Sequence, residues 1–161
     1  MKKGFTLIET LIYIAIIGMI VSSFVIFVLS ISASRTKTYA VQEVQANSRF
    51  ALDLLSQRIK SAQGIISPTP GNSASILILD MADADLTFNV TAGVLSATEG
   101  LADSIPITSS EVDVSSLIFT NLTAAEEREN IRIEMTVNYQ ENNSKEYDYS
   151  QSFQTAVSLR R

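Results

Sequence analysis

The feature that most constrains this chain is a long apolar stretch at its amino end. From residue 5 to residue 33 the sequence carries a single charged side chain, Glu9. A helix rises about 1.5 Å per residue, so this stretch would be about 43 Å long and would exceed the roughly 30 Å hydrocarbon core of a bilayer. A secretory signal has a shorter apolar region, of about 7 to 15 residues. The sequence therefore predicts a transmembrane helix over residues 5–33, preceded by a short basic leader, residues 1–4.

The composition disfavours several functional classes. The 161 residues, 46% of them apolar and 18% charged, suffice for one domain and one membrane segment. Twelve basic against seventeen acidic residues give a net charge of -5, which disfavours a nucleic-acid partner. The chain has no histidine and no cysteine, so it lacks the usual general base and the commonest nitrogen and sulfur metal ligands. We therefore expect no enzyme activity and no cofactor.

The helix is predicted to continue beyond the membrane segment as an amphipathic stretch, residues 34–66. No proline occurs before Pro68, and the turn-forming residues 67–73 should end the helix near residue 66. Apolar and small side chains recur at spacings of three and four, while polar side chains fill the other face. The predicted apolar stripe consists of Val41, Val44, Ser48, Ala51, Leu52, Leu55, Ile59, Ala62 and Ile66.

The remaining part of the chain, residues 67–161, is predicted to form a β-rich globular head. Its apolar residues alternate with polar ones or form short runs between turn residues. The clearest hairpin joins residues 131–140 to residues 147–159, and a shorter one turns at residues 91–93. We expect an α+β fold in which the helix stripe covers one face of an antiparallel β-sheet. The predicted strands are residues 75–79, 86–90, 94–97, 105–108, 117–121, 131–140 and 147–159.

Glu9 is the residue in the apolar stretch that most needs an explanation. A carboxylate costs about 2.5 to 3.5 kcal/mol at the centre of a bilayer and less near its interface. Lys2, Lys3 and the amino terminus lie close enough in sequence to offset its charge, and this is the simpler interpretation. If residues 1–4 were removed, Phe5 would carry the new terminal amine. The best partner of Glu9 in an assembly could then be the amino terminus of a neighbouring subunit.

The sequence Lys-Gly-Phe-Thr-Leu-Ile-Glu at residues 3–9, followed by about twenty apolar residues, resembles the prepilin-type cleavage and methylation segment of type IV pilins and type II secretion pseudopilins. The resemblance implies that a prepilin peptidase cleaves between Gly4 and Phe5 and methylates the amine of Phe5. It implies that Glu9 acts in subunit assembly. It also implies a pilin-like fold in a chain that crosses the cytoplasmic (inner) membrane once, with its amino terminus on the inner side and its head outside, and that is later transferred to an extracytoplasmic filament.

Two further stretches resemble one subgroup of this family more than the others. The helix around residues 45–62 and the closing residues 157–161 are similar to minor pseudopilin J and minor pilin W. The absence of cysteine also favours a minor subunit, because major pilins often carry a disulfide-closed loop. The resemblance implies a structural minor subunit of a type IV pilus, competence or type II secretion filament. Its implied partners are other pilin or pseudopilin subunits, an inner-membrane assembly platform and membrane lipid.

Two other functional interpretations stay open at this point. The first is a single-pass membrane-anchored surface binding domain that does not polymerise, and Gly4 together with Glu9 argues against it. The second is a membrane-anchored hydrolase, which the absence of histidine disfavours.

Several polar residues in the head admit both a functional and a simpler interpretation. Asp80, Asp83 and Asp85 could supply oxygen ligands to calcium, but their spacing is not that of an EF-hand, and we expect no metal site. The acidic residues Glu126, Glu127 and Glu129 are most simply a solvated turn. Asn89 and Asn121 begin Asn-X-Thr triplets, and we interpret them as strand-end residues, not as glycosylation sites.

Overall fold

The computed structural model describes residues 6–124, 128–140 and 149–160 and divides the chain into two compact units, Met1–Thr38 and Tyr39–Arg161. The described residues form one helix, α1 (Leu7–Ser61), and nine strands. This confirms the predicted α+β class. The strands are β1 (Gly64–Ser67), β2 (Ser73–Ala74), β3 (Leu77–Asp80), β4 (Leu86–Thr91), β5 (Val94–Glu99), β6 (Ile105–Pro106), β7 (Val112–Asn121), β8 (Asn130–Tyr139) and β9 (Ser150–Ser158).

The first unit contains the apolar part of α1. In its most apolar window α1 has a mean hydropathy of 2.8, and it is long and apolar enough to cross a membrane. Large apolar side chains lie exposed on every side of it, from Leu7 at 83% to Phe24 at 65% and Leu29 at 65%. No side chain of this window is buried within the described structure. A helix that is apolar all round needs a non-aqueous environment such as lipid or other helices.

The second unit begins with the amphipathic part of α1, whose buried side chains recur every three or four residues. They follow the predicted stripe closely, but Val41 and Leu52 are only half-buried and Ile66 is 46% exposed. Ala40, which the sequence pattern did not indicate, is fully buried. The buried positions of the stripe and its extension are Ala40, Val44, Ser48, Ala51, Leu55, Ile59 and Ala62.

The predicted end of the helix near residue 66 is wrong. Helix α1 ends at Ser61, and residues 64–67 form β1, which pairs antiparallel with β3. Gly64 is a poor helix former, and the β-branched pair that follows it fits a strand well. The pairing with β3 gives these backbone groups partners that a longer helix would otherwise have supplied. Ile66 matched the helical spacing by coincidence.

The strands form two antiparallel sheets, where the sequence predicted one. The first sheet has the order β1-β3-β4-β5-β6 and the second β2-β7-β8-β9. Strand β2 lies between β1 and β3 in the chain but belongs to the second sheet, through the pairs Ser73↔Thr120 and Ala74↔Phe119. The predicted pairing of the two last long strands is confirmed as β8 with β9, while the predicted turn residues 141–145 and Tyr147 lie outside the described residues.

The hairpin between β4 and β5 turns where the sequence predicted. Ala92 and Gly93 have positive φ angles of 50° and 79° and join the paired residues Thr91 and Val94. Two successive residues with positive φ are typical of the two-residue turns that match the twist of antiparallel strands. The φ angle of Gly93 favours glycine here, and a Cβ atom at this position would also force the carboxylate of Asp113 to move.

Both sheets and the helix stripe share one hydrophobic core. Leu55 and Ile59 of α1 belong to the same cluster as Phe88 of β4 and Phe119 of β7. A half-buried rim that includes Phe153 packs against this cluster. The largest fully buried side chains are Phe88, Phe119, Leu55, Ile59, Leu77, Leu79, Leu95, Ile131, Ile133, Met135, Val44 and Val112.

Candidate processing and assembly segment

Helix α1 is capped at its amino end by Thr6. The backbone N–H of Glu9 donates a hydrogen bond to the Thr6 carbonyl at 3.1 Å and lies 3.4 Å from the Thr6 hydroxyl oxygen. The backbone N–H of Thr10 also donates to the Thr6 carbonyl, at 3.2 Å. A threonine at this position satisfies N–H groups that have no partner within the first helical turn. The predicted cleavage residues Gly4 and Phe5 precede this cap and lie outside the described residues.

Glu9 lies in the first turn of α1 and is partly exposed. Its Oε1 accepts a hydrogen bond from the hydroxyl of Tyr13, one turn further along, at 3.3 Å. The positive end of the helix macrodipole favours a carboxylate here by about 0.3 to 1 kcal/mol. A carboxylate has about four acceptor positions, so one bond to Tyr13 leaves capacity for a cationic partner.

Thr6 and Tyr13 are residues that the sequence analysis did not identify. Thr6 and Glu9 have the spacing of a capping box, a threonine followed three residues later by a glutamate, which marks a helix start. Tyr13 follows Glu9 by four residues, and side chains at this spacing are neighbours on a helix. Both signals were therefore present in the sequence.

The next question is whether the described carboxylates of the head lie close enough together to bind a metal ion. Among the described residues no group of three histidine, cysteine, aspartate or glutamate side chains could hold a metal ion. Asp80 ends β3, and Asp83 and Asp85 lie in the connection from β3 to β4, all three exposed.

The interpretation of the acidic residues near position 129 as a solvated turn is wrong for Glu129. Its Oε2 accepts a hydrogen bond from the backbone N–H of Ile65 at 2.9 Å, and its carbonyl accepts one from Leu159 at 2.9 Å. Glu129 therefore links β1 to Leu159. Its carboxylate supplies an acceptor for the backbone N–H of Ile65. Glu126 and Glu127 lie outside the described residues.

The asparagines of the two Asn-X-Thr triplets have structural roles. Asn121 is only 1% exposed, its side-chain nitrogen donates to the carbonyl of Pro68 at 2.8 Å, and its side-chain oxygen accepts from Thr123 N–H at 3.0 Å. A glycan cannot be attached to a side chain buried in this way without breaking these bonds. Asn89 is half-buried on β4 and donates to the Thr91 hydroxyl at 3.3 Å.

Polar side chains of α1 fasten the segment that connects β6 to β7. The side-chain oxygen of Asn47 accepts a hydrogen bond from the backbone N–H of Ser109 at 2.9 Å, and the Asn47 amide is in turn held by Glu43 at 2.9 Å. One turn before Glu43, the hydroxyl of Tyr39 donates a hydrogen bond to the Glu111 carboxylate at 2.8 Å. These contacts fix the connecting segment. From the sequence, Glu43 and Asn47 were expected only to lie on the polar face of the helix, and Tyr39 was assigned no role.

The contact between Tyr39 and Glu111 also changes the acidity of the tyrosine. The hydrogen bond to the Glu111 carboxylate, and then its negative charge, raise the pKa of Tyr39 above its ordinary value of 10.0. The ring of Tyr39 packs edge-to-face against Tyr139, with the ring centroids 6.3 Å apart. The part of α1 that begins the second unit is therefore held against β8 and the start of β7.

Comparison with known proteins identifies the amino-terminal segment. Residues 1–25 match the prokaryotic N-terminal methylation motif. No curated protein and no solved structure matches the chain. The matched residues include Gly4, Phe5 and Glu9. The motif, together with the apolar helix, suggests anchoring in the inner membrane. It supports a type IV pilin-like or pseudopilin subunit that is processed by prepilin peptidase and assembles with other pilins.

Proposed function

We propose that the chain is a structural minor subunit of a type IV pilus, competence or type II secretion filament and performs no catalysis. In this proposal residues 1–4 are a leader that prepilin peptidase removes, and residues 5–33 form the membrane and assembly helix. The amphipathic part of α1, which ends at Ser61, leads into the β-rich head that begins with β1. The subunit waits in the inner membrane with its head outside and is then transferred to the filament with the help of an assembly platform.

The observation that carries this proposal is the methylation motif, whose residues 1–25 include the start of a helix that is apolar on all sides. Fully burying a leucine or isoleucine side chain out of water stabilises a structure by about 1.5 to 3 kcal/mol. The exposed apolar residues of α1 can therefore be stable in lipid or in a bundle of similar helices, but not in water. Lipid already covers this surface, so moving it into a filament gains much less and is consistent with a requirement for an assembly motor.

Glu9 is the proposed assembly residue. The macrodipole offsets about 0.3 to 1 kcal/mol of its cost, against about 2.5 to 3.5 kcal/mol for a charge at the bilayer centre. A cationic partner would remove most of the difference. After cleavage the amine of Phe5 is such a cation, and in a bundle of staggered helices the amine of one subunit can approach Glu9 of the next.

Mass spectrometry tests the proposed processing step. In cells with an active prepilin peptidase, the intact mass of the membrane-extracted chain should correspond to a product that begins at methylated Phe5. Gly4→Ala should block cleavage, because a side chain beside the scissile bond crowds it. Recovery of only full-length chains from the wild type would contradict the proposal.

A pair of substitutions at Glu9 separates assembly from simple anchoring. Glu9→Gln keeps the shape and much of the hydrogen bonding but removes the charge, and Glu9→Leu removes both. Both variants should insert and be cleaved normally but co-purify less with partner subunits. Thr10→Ser is the matched control in the same helical turn. Equal incorporation of all variants would instead support a membrane-anchored binding domain that does not polymerise.

A further inference from the structure

The head separates acidic from basic side chains. Between Lys60 and Arg128 the chain contains no lysine and no arginine, so the first sheet and the connections between its strands carry only acidic charges. Exposed basic side chains lie instead at the end of α1, just before β8 and at the end of the chain. They form a basic patch that consists of Arg58, Lys60, Arg128 and Arg160.

The acidic region includes a turn between β5 and β6 that presents an apolar side chain, and we call this turn, residues 99–103, the knob. At its tip Leu101 is 106% exposed, the highest value among the large apolar side chains that the structure describes. Ala102 N–H donates a hydrogen bond to the Glu99 carbonyl at 2.9 Å, and a second backbone hydrogen bond joins the turn to the segment before β4. The knob therefore holds an apolar tip between the exposed carboxylates of Glu99 and Asp103.

The basic patch surrounds a cleft at the end of α1. The cleft has a volume of about 390 Å³, which is within the range of sites that bind small molecules and leaves room for a leucine side chain. Ala62 and Leu159 contribute apolar lining, and the exposed Arg128 and Arg160 contribute positive charge. The carboxylate of Glu129, also in the lining, is already hydrogen-bonded to the backbone of β1. The cleft therefore suits an apolar side chain with acidic neighbours.

The knob and the cleft lie at opposite edges of the first sheet. In the strand order β1-β3-β4-β5-β6, β1 follows directly after the cleft residue Gln63, and the knob joins β5 to β6 at the other edge. One row of paired residues crosses the sheet between them, Gly64↔Asp80, Leu79↔Leu86 and Leu86↔Glu99. Neighbouring strands are about 4.8 Å apart, so the two ends of this row are about 14 Å apart.

We propose that the knob of one chain docks in the cleft of a second copy of the same chain that has the same orientation. Moving a copy along the row, without rotating it, brings the knob of one head to the cleft of the next. The α1 helices of the two copies then stay parallel, as two chains anchored in one membrane require. The proposal rests on the proposed function for this shared orientation.

The occupant is a second copy because this one chain carries both complementary surfaces. Leu101 is fully exposed in its own chain, and the cleft of a neighbour would remove its apolar surface from water. The carboxylates beside Leu101 would approach Arg128 and Arg160, with opposite charges facing each other. A knob against a knob, or a cleft against a cleft, would bring like charges together. The contact is therefore heterologous, and each copy in a pair keeps one knob or one cleft free.

Paired cysteines test the contact, because the chain has no cysteine of its own. One full-length chain carries Leu101→Cys, and a second, differently tagged chain carries Gln63→Cys in the lining of the cleft. The two are expressed together in cells without prepilin peptidase, and their membranes are oxidised. In the matched control Thr91→Cys replaces Gln63→Cys, because Thr91 is also exposed but ends β4 about 17 Å from Leu86. Since the leader stays in place, the result does not depend on its processing.

We expect about tenfold more mixed dimer with Gln63→Cys than with the Thr91→Cys control. Leu101→Cys and Gln63→Cys in one chain should give products larger than a dimer, because every copy offers both surfaces. The two cysteines of one chain cannot bridge each other, since a disulfide requires Cα atoms within about 7 Å. Equal amounts of mixed dimer in the two experiments would indicate random contact and overturn the proposal. Products of the double variant that stop at the dimer would indicate a two-fold pair and overturn the shared orientation.

Charge reversal tests whether the facing charges hold the contact. Arg160→Glu in the chain that supplies the cleft should lower the mixed dimer about tenfold, because like charges would then meet. Asp103→Arg in the chain that supplies the knob should restore most of it. Both side chains are exposed, so the head should remain folded, which near-ultraviolet circular dichroism of the purified chains checks. A mixed dimer that neither reversal changes would contradict the proposed complementarity.

Discussion

Replacing Leu55 by alanine tests the central packing statement about the head. Leu55 is fully buried in α1 and belongs to the core cluster shared by both sheets. Alanine is a good helix former, so the substitution leaves the propensity of the helix nearly unchanged. Its effect therefore reports on packing alone. Phe50, on the same helix but 59% exposed, offers a matched control.

The size of the effect follows from the burial of the side chain. Leucine exceeds alanine by three carbon atoms, and each buried carbon contributes about 0.8 kcal/mol, which gives about 2.4 kcal/mol of lost transfer free energy. The cavity adds to this loss because residues on three sides, the helix and the two sheets, cannot all move inward. We expect the free energy of unfolding to fall by about 3 to 4 kcal/mol, within the range seen for such substitutions. Phe50→Ala should change it by less than about 0.5 kcal/mol.

Urea denaturation of the full chain in mild detergent, followed by the near-ultraviolet circular dichroism of its tyrosines, measures both variants. The midpoint should move to clearly lower urea for Leu55→Ala and remain near that of the wild type for Phe50→Ala, with an unchanged slope. Similar small shifts for the two variants would refute the reasoning. That outcome would mean that the face of α1 containing Leu55 is not the one that the sheets cover.

Two further substitutions test local features of the head. Gly93→Ala should lower the free energy of unfolding by more than about 1 kcal/mol, because its Cβ would also force the carboxylate of Asp113 to move, whereas Gly71→Ala, with a similar φ angle of 78° but open space around it, should cost less in the same urea assay. Tyr39→Phe should lose stability at neutral pH. Since Glu111 raises the pKa of Tyr39 in the folded state, its hydrogen bond stabilises the fold below the unfolded pKa of about 10 and is lost as the pH rises through the folded value. Stability curves of wild type and variant measured against pH should therefore converge in alkaline solution, and a constant difference between them would contradict this account.

The sequence patterns predicted the helix and the long strands because their signals are local and repeated. The stripe around Leu55 and the alternation in β8 each extend over several periods, so a single misfitting residue does not hide them. Strand β1 was missed because Ile66 happens to follow Ala62 by four residues. Strand β7 begins at Val112, earlier than predicted, because the register shift between Val114 and Ser116 interrupts its alternation. The division into two sheets depends on pairings between distant residues, which no local pattern reveals.

Among the functional and polar residues, some roles could be predicted from the sequence and others could not. Glu9 stands out because a charge in an apolar helix is costly, and the motif that contains it depends on adjacent residues. The cap by Thr6 was also readable from spacing. By contrast, the roles of Glu129 and Asn121 depend on partners 64 and 53 residues away in the chain. Their side chains look like ordinary surface residues until the fold brings those partners beside them.

The small strand β2 has a consequence for how the head folds as it is synthesised. The first sheet consists of strands between residues 64 and 106. Strand β2 lies within this range but pairs with β7, where Ser73 contacts Thr120, 47 residues further along the chain. Synthesis adds about 5 to 20 residues per second, so the strands of the second sheet arrive several seconds after the first sheet is complete. During that interval the apolar stripe of the helix is covered on one side only. A nascent chain in this state exposes apolar surface of the kind that chaperones bind, until β7, β8 and β9 complete the second sheet.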